Sequence, residues 1–136
     1  MPVKQKLILL ADDDQEDLEL LQEALNACDP ETRMHSVLNG RLAVEYLENI
    51  KDDELPCLIV LDYNMPEMNG ANVLEKICKE DRYNGIPKII WSTSSNNAYI
   101  KECMDKGATA YFVKPASHKQ LQELAKEMLS FCGVNT

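Results

Sequence analysis

The sequence predicts an α/β domain built on a parallel sheet with helices on both faces. Three observations carry that prediction. Apolar runs that do not alternate, LILLA at 7–11 and LIVL at 58–61 above all, end in acidic or turn residues and read as strands buried on both faces. Apolar stripes at helical spacing fall between the runs, giving a β-α alternation five times over. No linker, repeat or low-complexity segment interrupts it. Right-handed crossovers then make the strands parallel and bring their carboxyl ends to one edge.

The first strand, Leu7 to Ala11, stops at Asp12-Asp13-Asp14. Leu18, Leu21, Leu25 and Cys28 recur at helical spacing; Asp14 is placed to cap that helix, and Glu16 and Asp17 suit its positive end. Pro30 closes the region, and Thr32 to Val37 is a short strand of mixed polarity. Asn39-Gly40 marks a turn before a second helix carrying Ala43, Val44, Leu47 and Ile50. Polar residues Lys51 to Glu54, then Pro56, lead into the strand that ends at Asp62. Pro66 and Gly70 break the chain, and Val73, Leu74, Ile77 and Cys78 outline a third helix. After the polar loop Glu80 to Ile86 comes a strand, Lys88 to Trp91, running into Ser92-Thr93-Ser94-Ser95. Ile100, Cys103 and Met104 mark a short polar helix stopped by Gly107. Ala110 to Val113 is the last strand, ended by Lys114-Pro115. Ser117 and Gln120 form a capping box for a final helix with Leu121, Leu124, Ala125, Met128 and Leu129 on one stripe.

At 136 residues the chain fits one domain, residues 1–136, with nothing left for an output domain. A net charge of −9 argues against nucleic acid or an anionic membrane as a direct partner, since both demand a basic face. Five cysteines at 28, 57, 78, 103 and 132 show no CxxC and an odd total, so neither a disulfide framework nor a zinc site is expected. They read as small core residues in a reducing compartment. The apolar run at 7–11 is too short for a signal peptide or a membrane span, and a cytoplasmic location is expected.

Function collects at the strand ends. Asp12 and Asp13 follow the first strand, Asp62 the third, Ser92 the fourth and Lys114 the fifth. Open α/β sheets bind their ligands at this edge. Three carboxylates held together need a cation or protons, and Mg²⁺ suits them because it takes hard oxygen ligands and keeps waters that a phosphate can displace. A hydroxyl and an ammonium facing a carboxylate are what phosphoryl transfer needs. Singly, each residue has a plainer reading: a helix cap, a surface turn, a polar loop. Together, in this order, they point to one site. His35 and His118 lack metal-spaced partners, and His118 reads as surface. Trp91 is expected to pack against a helix while reporting on the site beside it.

ADDD after an apolar strand, LDYNMPEMNG, the hydroxyl after PKIIW, and GATAYFVKP resemble the receiver domain of two-component response regulators. The likeness covers essentially the whole chain. It is especially similar to single-domain regulators of the chemotaxis type and to the stand-alone regulators that partner phytochrome-like kinases. The resemblance implies a flavodoxin-like sheet of order 2-1-3-4-5. It implies Asp62 as phospho-acceptor, with Asp13, Asp62 and the main chain of Asn64 on Mg²⁺ and Asp12 reaching the ion through water. Ser92 and Lys114 would hold phosphoryl oxygens, Tyr111 would be the aromatic switch, and the Lys114-Pro115 bond would be cis. Ser92 stands where Thr is commoner, and a one-residue slip would give its role to Thr93; alternation along a strand lets only one of them face the site.

Asn64 and Ser94, two residues after acceptor and hydroxyl, would tune the phosphoryl lifetime, to seconds or minutes. The implied partners are a sensor histidine kinase or histidine phosphotransfer protein and an unknown downstream protein, with a homodimer possible. The implied activity is a phosphorylation-controlled switch catalysing only its own phosphorylation and dephosphorylation; the alternative is a phosphate shuttle or sink without an effector. Tyr99, Ile100 and Met104 would join Tyr111 and the last helix in an output surface.

Overall fold

The computed structural model describes residues 6–132, so the outermost residues of the expected 1–136 span lie outside the description. Five strands and five helices alternate: β1 (Leu7–Ala11), α1 (Gln15–Cys28), β2 (Arg33–Val37), α2 (Gly40–Asn49), β3 (Leu58–Asp62), α3 (Gly70–Ile77), β4 (Lys88–Ser92), α4 (Asn97–Asp105), β5 (Ala110–Val113) and α5 (His118–Ser130). All strand pairs are parallel, in the order β2-β1-β3-β4-β5. No described helix is long and apolar enough to cross a membrane.

The unalternating runs have a direct cause. Leu9, Ala11, Ile59, Leu61 and Ile90 point to one face, against Ala43, Val44 and Leu47 of α2, Val73, Leu74 and Ile77 of α3, and Cys103 of α4. Ile8, Leu10, Leu58, Val60, Ile89 and Trp91 point to the other, against Leu18, Leu21 and Leu25 of α1 and Leu121, Leu124, Ala125 and Met128 of α5. Both faces of the central strands are therefore core, and each such Leu or Ile contributes roughly 1.5–3 kcal/mol through burial. The edge strands β2 and β5 are only partly covered, which explains the mixed polarity of β2. Trp91 is buried among α1 and α5 side chains, as expected.

Helix starts follow the side chains that cap them. Asp14 accepts from the amides of Glu16 and Asp17, Asn39 from Leu42, and Asn96 from Ala98. Ser117 accepts from the Gln120 amide, but the reciprocal half of the expected capping box is not made, because the exposed Gln120 side chain has solvent as a partner. A full box forms instead at Asn69 and Asn72. Gly107 ends α4 at φ 110°, a backbone conformation only glycine takes without strain.

Three further expectations are corrected. Cys57, just before β3, and Cys132, just after α5, form a disulfide with their Cα atoms 5.0 Å apart. Their separation of 75 residues hides the pair from any spacing rule, but α5 packs along the sheet face and brings its end to the start of β3. Of the free cysteines, Cys103 is buried as expected, Cys78 is half-buried and Cys28 is exposed, since it lies in the last turn of α1 beyond the packed stripe. The Lys114-Pro115 bond is trans, like every described peptide bond. Trans is the intrinsically favoured isomer by about 0.5–1 kcal/mol, and Lys114 reaches its partners from it.

Candidate functional site

The sheet's carboxyl edge is assembled by backbone pairing that runs one step past the strands. The Asp12 amide bonds the Val37 carbonyl at 3.1 Å, and the Lys114 amide bonds the Ser92 carbonyl at 2.7 Å. Asp12 is thereby fixed beside β2 and Lys114 beside Ser92. Asp62, the last residue of β3, lies opposite Trp91 in register, on the α1/α5 side of the sheet. The turn that follows it is closed by the Gly70 amide on the Tyr63 carbonyl at 2.9 Å. A Cβ at Gly70 would stand 2.6 Å from the Asp62 carbonyl oxygen, so a glycine is required where α3 starts against the acceptor's own backbone. In the same loop Glu67 has φ 69°, and the Met68 amide bonds the Pro66 carbonyl at 2.7 Å across it. Strain of this kind collects in loops whose shape is fixed by function.

Asp12, Asp13 and Asp62 present carboxylate oxygens that all lie within 4.8 Å of one another. Asp12 is fully buried and Asp62 nearly so, while Asp13 is exposed. Lys114 projects into this group from the far side. Its Nζ lies 2.8 Å from Asp12 Oδ2, 2.8 Å from Asp17 Oδ2 and 3.4 Å from Asp62 Oδ2, and 4.9 Å from the centroid of the Trp91 ring. Three carboxylates thus meet one ammonium, with the Asp13 carboxylate close beside them.

The electrostatics follow from that imbalance. Burial, then the charge of Asp12, pushes the Asp62 carboxyl up to about 7, with Lys114 offsetting only part of the rise. Burial alone would lower the Lys114 ammonium, but its contacts with Asp12 and Asp17 and the charges of Asp62 and Asp12 outweigh burial and raise it. Both members of the Lys114–Asp62 pair are therefore shifted upward, which a simple ion pair would not do. The geometry reconciles them: the ammonium leans on Asp12 and Asp17 and leaves Asp62 under-compensated. Three clustered oxygens with a deficit of positive charge are a suitable donor set for a small hard dication.

Ser92 is fully buried, and its Oγ accepts from the Ser94 amide at 3.1 Å, whereas Thr93 is exposed. Ser94 is half-buried, and its carbonyl accepts from the Tyr111 hydroxyl at 2.8 Å, tying β5 to the loop before α4. Asn64 is exposed beside the acceptor, its amide donating to Asp62 Oδ1 at 3.3 Å. Asp12, Asp13, Asp62 and Lys114 are thus brought together, and Ser92 ends β4 at the same edge of the sheet. His118 is exposed, and His35 stacks on Tyr46 with centroids 4.1 Å apart, away from the carboxylates.

The family model of the response regulator receiver domain matches residues 8–126. The chain belongs to that family. It is similar to the phosphorylated cyanobacterial phytochrome response regulator RcpA, whose crystal structure has a TM-score of 0.85 at 31% identity, with 94% of each chain covered. The Mn²⁺-bound form of response regulator Rcp1 compares at a TM-score of 0.82 and 27% identity, covering 96% of this chain and 97% of that one. A chemotaxis protein CheY homolog of Campylobacter jejuni is 30% identical over 93 residues, 68% of this chain and 72% of its own. Both kinds of relative suggested by the sequence are thus represented.

Two groups at this receiver's site were not expected. Asp17, read as a charge at a helix end, is a direct partner of Lys114. Tyr63, beside the acceptor, stacks on Tyr99 of α4 at 4.6 Å and donates to Glu102 Oε1 at 2.6 Å. Asp17 had a faint signal, lying one residue before Leu18 on the packed stripe of α1; the Tyr63 contact had none.

Proposed function

We propose that the protein is a phosphorylation-controlled switch whose acceptor is Asp62. An Asp62 oxygen attacks the phosphorus of a phosphohistidine on a sensor kinase or histidine phosphotransfer protein, the P–N bond breaks, and the imidazole leaves with its electron pair. Receiver domains are phosphorylated by histidine kinases and bind divalent metal, and Asp12, Asp13 and Asp62, with the main chain of Asn64, are the groups of this chain that would hold Mg²⁺. The ion would supply charge neutralisation to the transferring group. Lys114 neutralises a further phosphoryl oxygen, and the Ser92 hydroxyl donates to another once it leaves the Ser94 amide. The observation that carries the reading is the under-compensated Asp62, buried beside Asp12 with a single shared ammonium above it.

The output follows from what is tied to Ser92. Movement of its hydroxyl breaks the bond to the Ser94 amide, and Ser94 also holds Tyr111, so the loop, β5 and α4 respond together. Tyr99, Met104 and Val113 are exposed apolar side chains on α4 and β5, suited to a downstream protein whose binding then changes. A pre-existing equilibrium shifted by phosphate is the economical mechanism.

Trp91 fluorescence tests this directly, because the Lys114 ammonium sits over the indole. Titration with Mg²⁺ and then beryllium fluoride, a mimic of the aspartyl phosphate, is expected to give two steps in the wild type and to lose the second in Asp62→Asn. An Asp62 left unmodified by acetyl phosphate, as read by mass spectrometry, sinks the proposal. The exposed Asn64 and half-buried Ser94 leave room for an attacking water. Asn64→Arg, which fills that space, is expected to slow dephosphorylation about tenfold, a transition-state cost of about 1.4 kcal/mol; an unchanged rate removes Asn64 from control of lifetime.

A further inference from the structure

Lys114 has three N–H bonds, and all three are spoken for by carboxylates on different elements. Asp12 and Asp17 take the short contacts at 2.8 Å, and Asp62 is left with the long one at 3.4 Å. Asp12 is buried at the centre of the acidic cluster, so a cation near it is required whatever the protein does. Asp17 is different. It sits in the first turn of α1, is partly open to solvent, and is not one of the three residues whose oxygens converge. The ammonium already has Asp12 and Asp62 as anionic partners, so Asp17 is an additional carboxylate on it.

From this the geometry points to Asp17 as a positioning residue that restrains Lys114 in the resting protein and so opposes occupation of Asp62 by a phosphoryl group. The inference rests on the reading of Asp62 as acceptor. Two effects act in the same direction. The restraint draws the ammonium toward α1, away from where a group on Asp62 would present its oxygens. Asp17 also adds a negative charge at the mouth through which an anionic donor arrives. A phosphoryl group on Asp62 has to pull Lys114 off Asp17, which links the start of α1 to the phosphorylation state.

A restraint makes a prediction that damage cannot imitate, because its removal strengthens binding. In Mg²⁺, Asp17→Asn is expected to bind beryllium fluoride about threefold to tenfold more tightly than wild type, the effect of removing one partly screened charge a few ångströms away. Mg²⁺ alone is expected to bind the same variant equally or more weakly, because a nearby anion has gone. This opposition of sign is not expected of a residue with a purely structural role. Asp17→Glu, which keeps the charge, should stay near wild type, and Asp17→Ser provides a second neutral variant should Asn fold poorly by circular dichroism. Both titrations are read from Trp91 in the full chain. Unchanged or weaker beryllium fluoride binding in the neutral variants, with wild type responding normally, overturns the inference and leaves the acceptor reading intact. A wild type that does not respond to beryllium fluoride at all overturns both.

Discussion

In the absence of metal at pH 7.5, Asp62→Asn is expected to melt about 10 °C above wild type, although it destroys the acceptor. The raised Asp62 carboxyl is the cause. A group whose pKa is about 7 in the folded state and near its ordinary value when unfolded holds its proton more tightly when folded. Folding stability from this group is therefore greatest below about pH 4 and falls as the pH rises toward 7. Above that, the carboxylate is ionised in both states and the full cost is present, on the order of 4 kcal/mol, which for a domain of this size moves the melting temperature by roughly 10 °C or more. Asn removes the charge and keeps the shape.

The dependence on conditions identifies the cause. Asp29 and Glu102 have lowered pKa values, the first from the Glu31 amide and the second from the Tyr63 hydroxyl, and they lose stability in acid, so the wild-type curve alone mixes opposing trends. The difference between wild type and Asp62→Asn isolates one residue. It should be large at pH 7.5, shrink toward pH 5, and shrink again at pH 7.5 when millimolar Mg²⁺ stabilises the wild type by binding. Urea unfolding at the two pH values, with and without EDTA, measures it. A variant no more stable than wild type in EDTA at pH 7.5 would show that Lys114 compensates Asp62 after all.

What was legible in the sequence was whatever a strand carries to its own end. Asp12, Ser92 and Lys114 each follow or close a strand, so naming the strands placed them on one edge. Helices on both faces of the sheet leave the middles of the central strands apolar, with polar residues only at their ends, which is why β1, β3 and β4 were readable and the half-covered β2 was faint. What was not legible depends on side chains meeting across the fold. Lys114 and Asp17 are 97 residues apart, Tyr63 and Glu102 are 39 apart, and Cys57 and Cys132 are 75 apart. No periodicity encodes those meetings. Asp17 and the two cysteines also had satisfactory local readings, as a helix-end charge and as small core residues. The family resemblance supplied roles for the residues in its motifs, and Asp17 falls outside them.

Lys114→Ala should move stability the opposite way, losing about 3–5 kcal/mol at pH 7.5 without metal, because it strands Asp12 and Asp62 without their shared cation. Packing also contributes to such a loss, since the Lys114 side chain is largely buried and its ammonium lies 4.9 Å from the Trp91 ring centroid. Lys114→Met separates the two: it keeps a long apolar stem and should still lose most of the stability if charge is the cause. The charge explanation requires two rescues. Lowering the pH toward 5 lets Asp62 take up its proton and should restore part of the loss, and combining Lys114→Met with Asp62→Asn should cost clearly less than the sum of the two single effects. Strict additivity in that double-mutant cycle would mean that the ammonium and the acceptor do not interact. With the cation gone, the clustered carboxylates of Asp12, Asp13 and Asp62 are left without the charge that compensates them, so the loss in Lys114→Met should be reduced by Mg²⁺ while beryllium fluoride binding stays impaired. Stability and phosphoryl recognition then part company at one side chain: the dication substitutes for the charge of Lys114, and it cannot substitute for the donor that Lys114 directs at the acceptor.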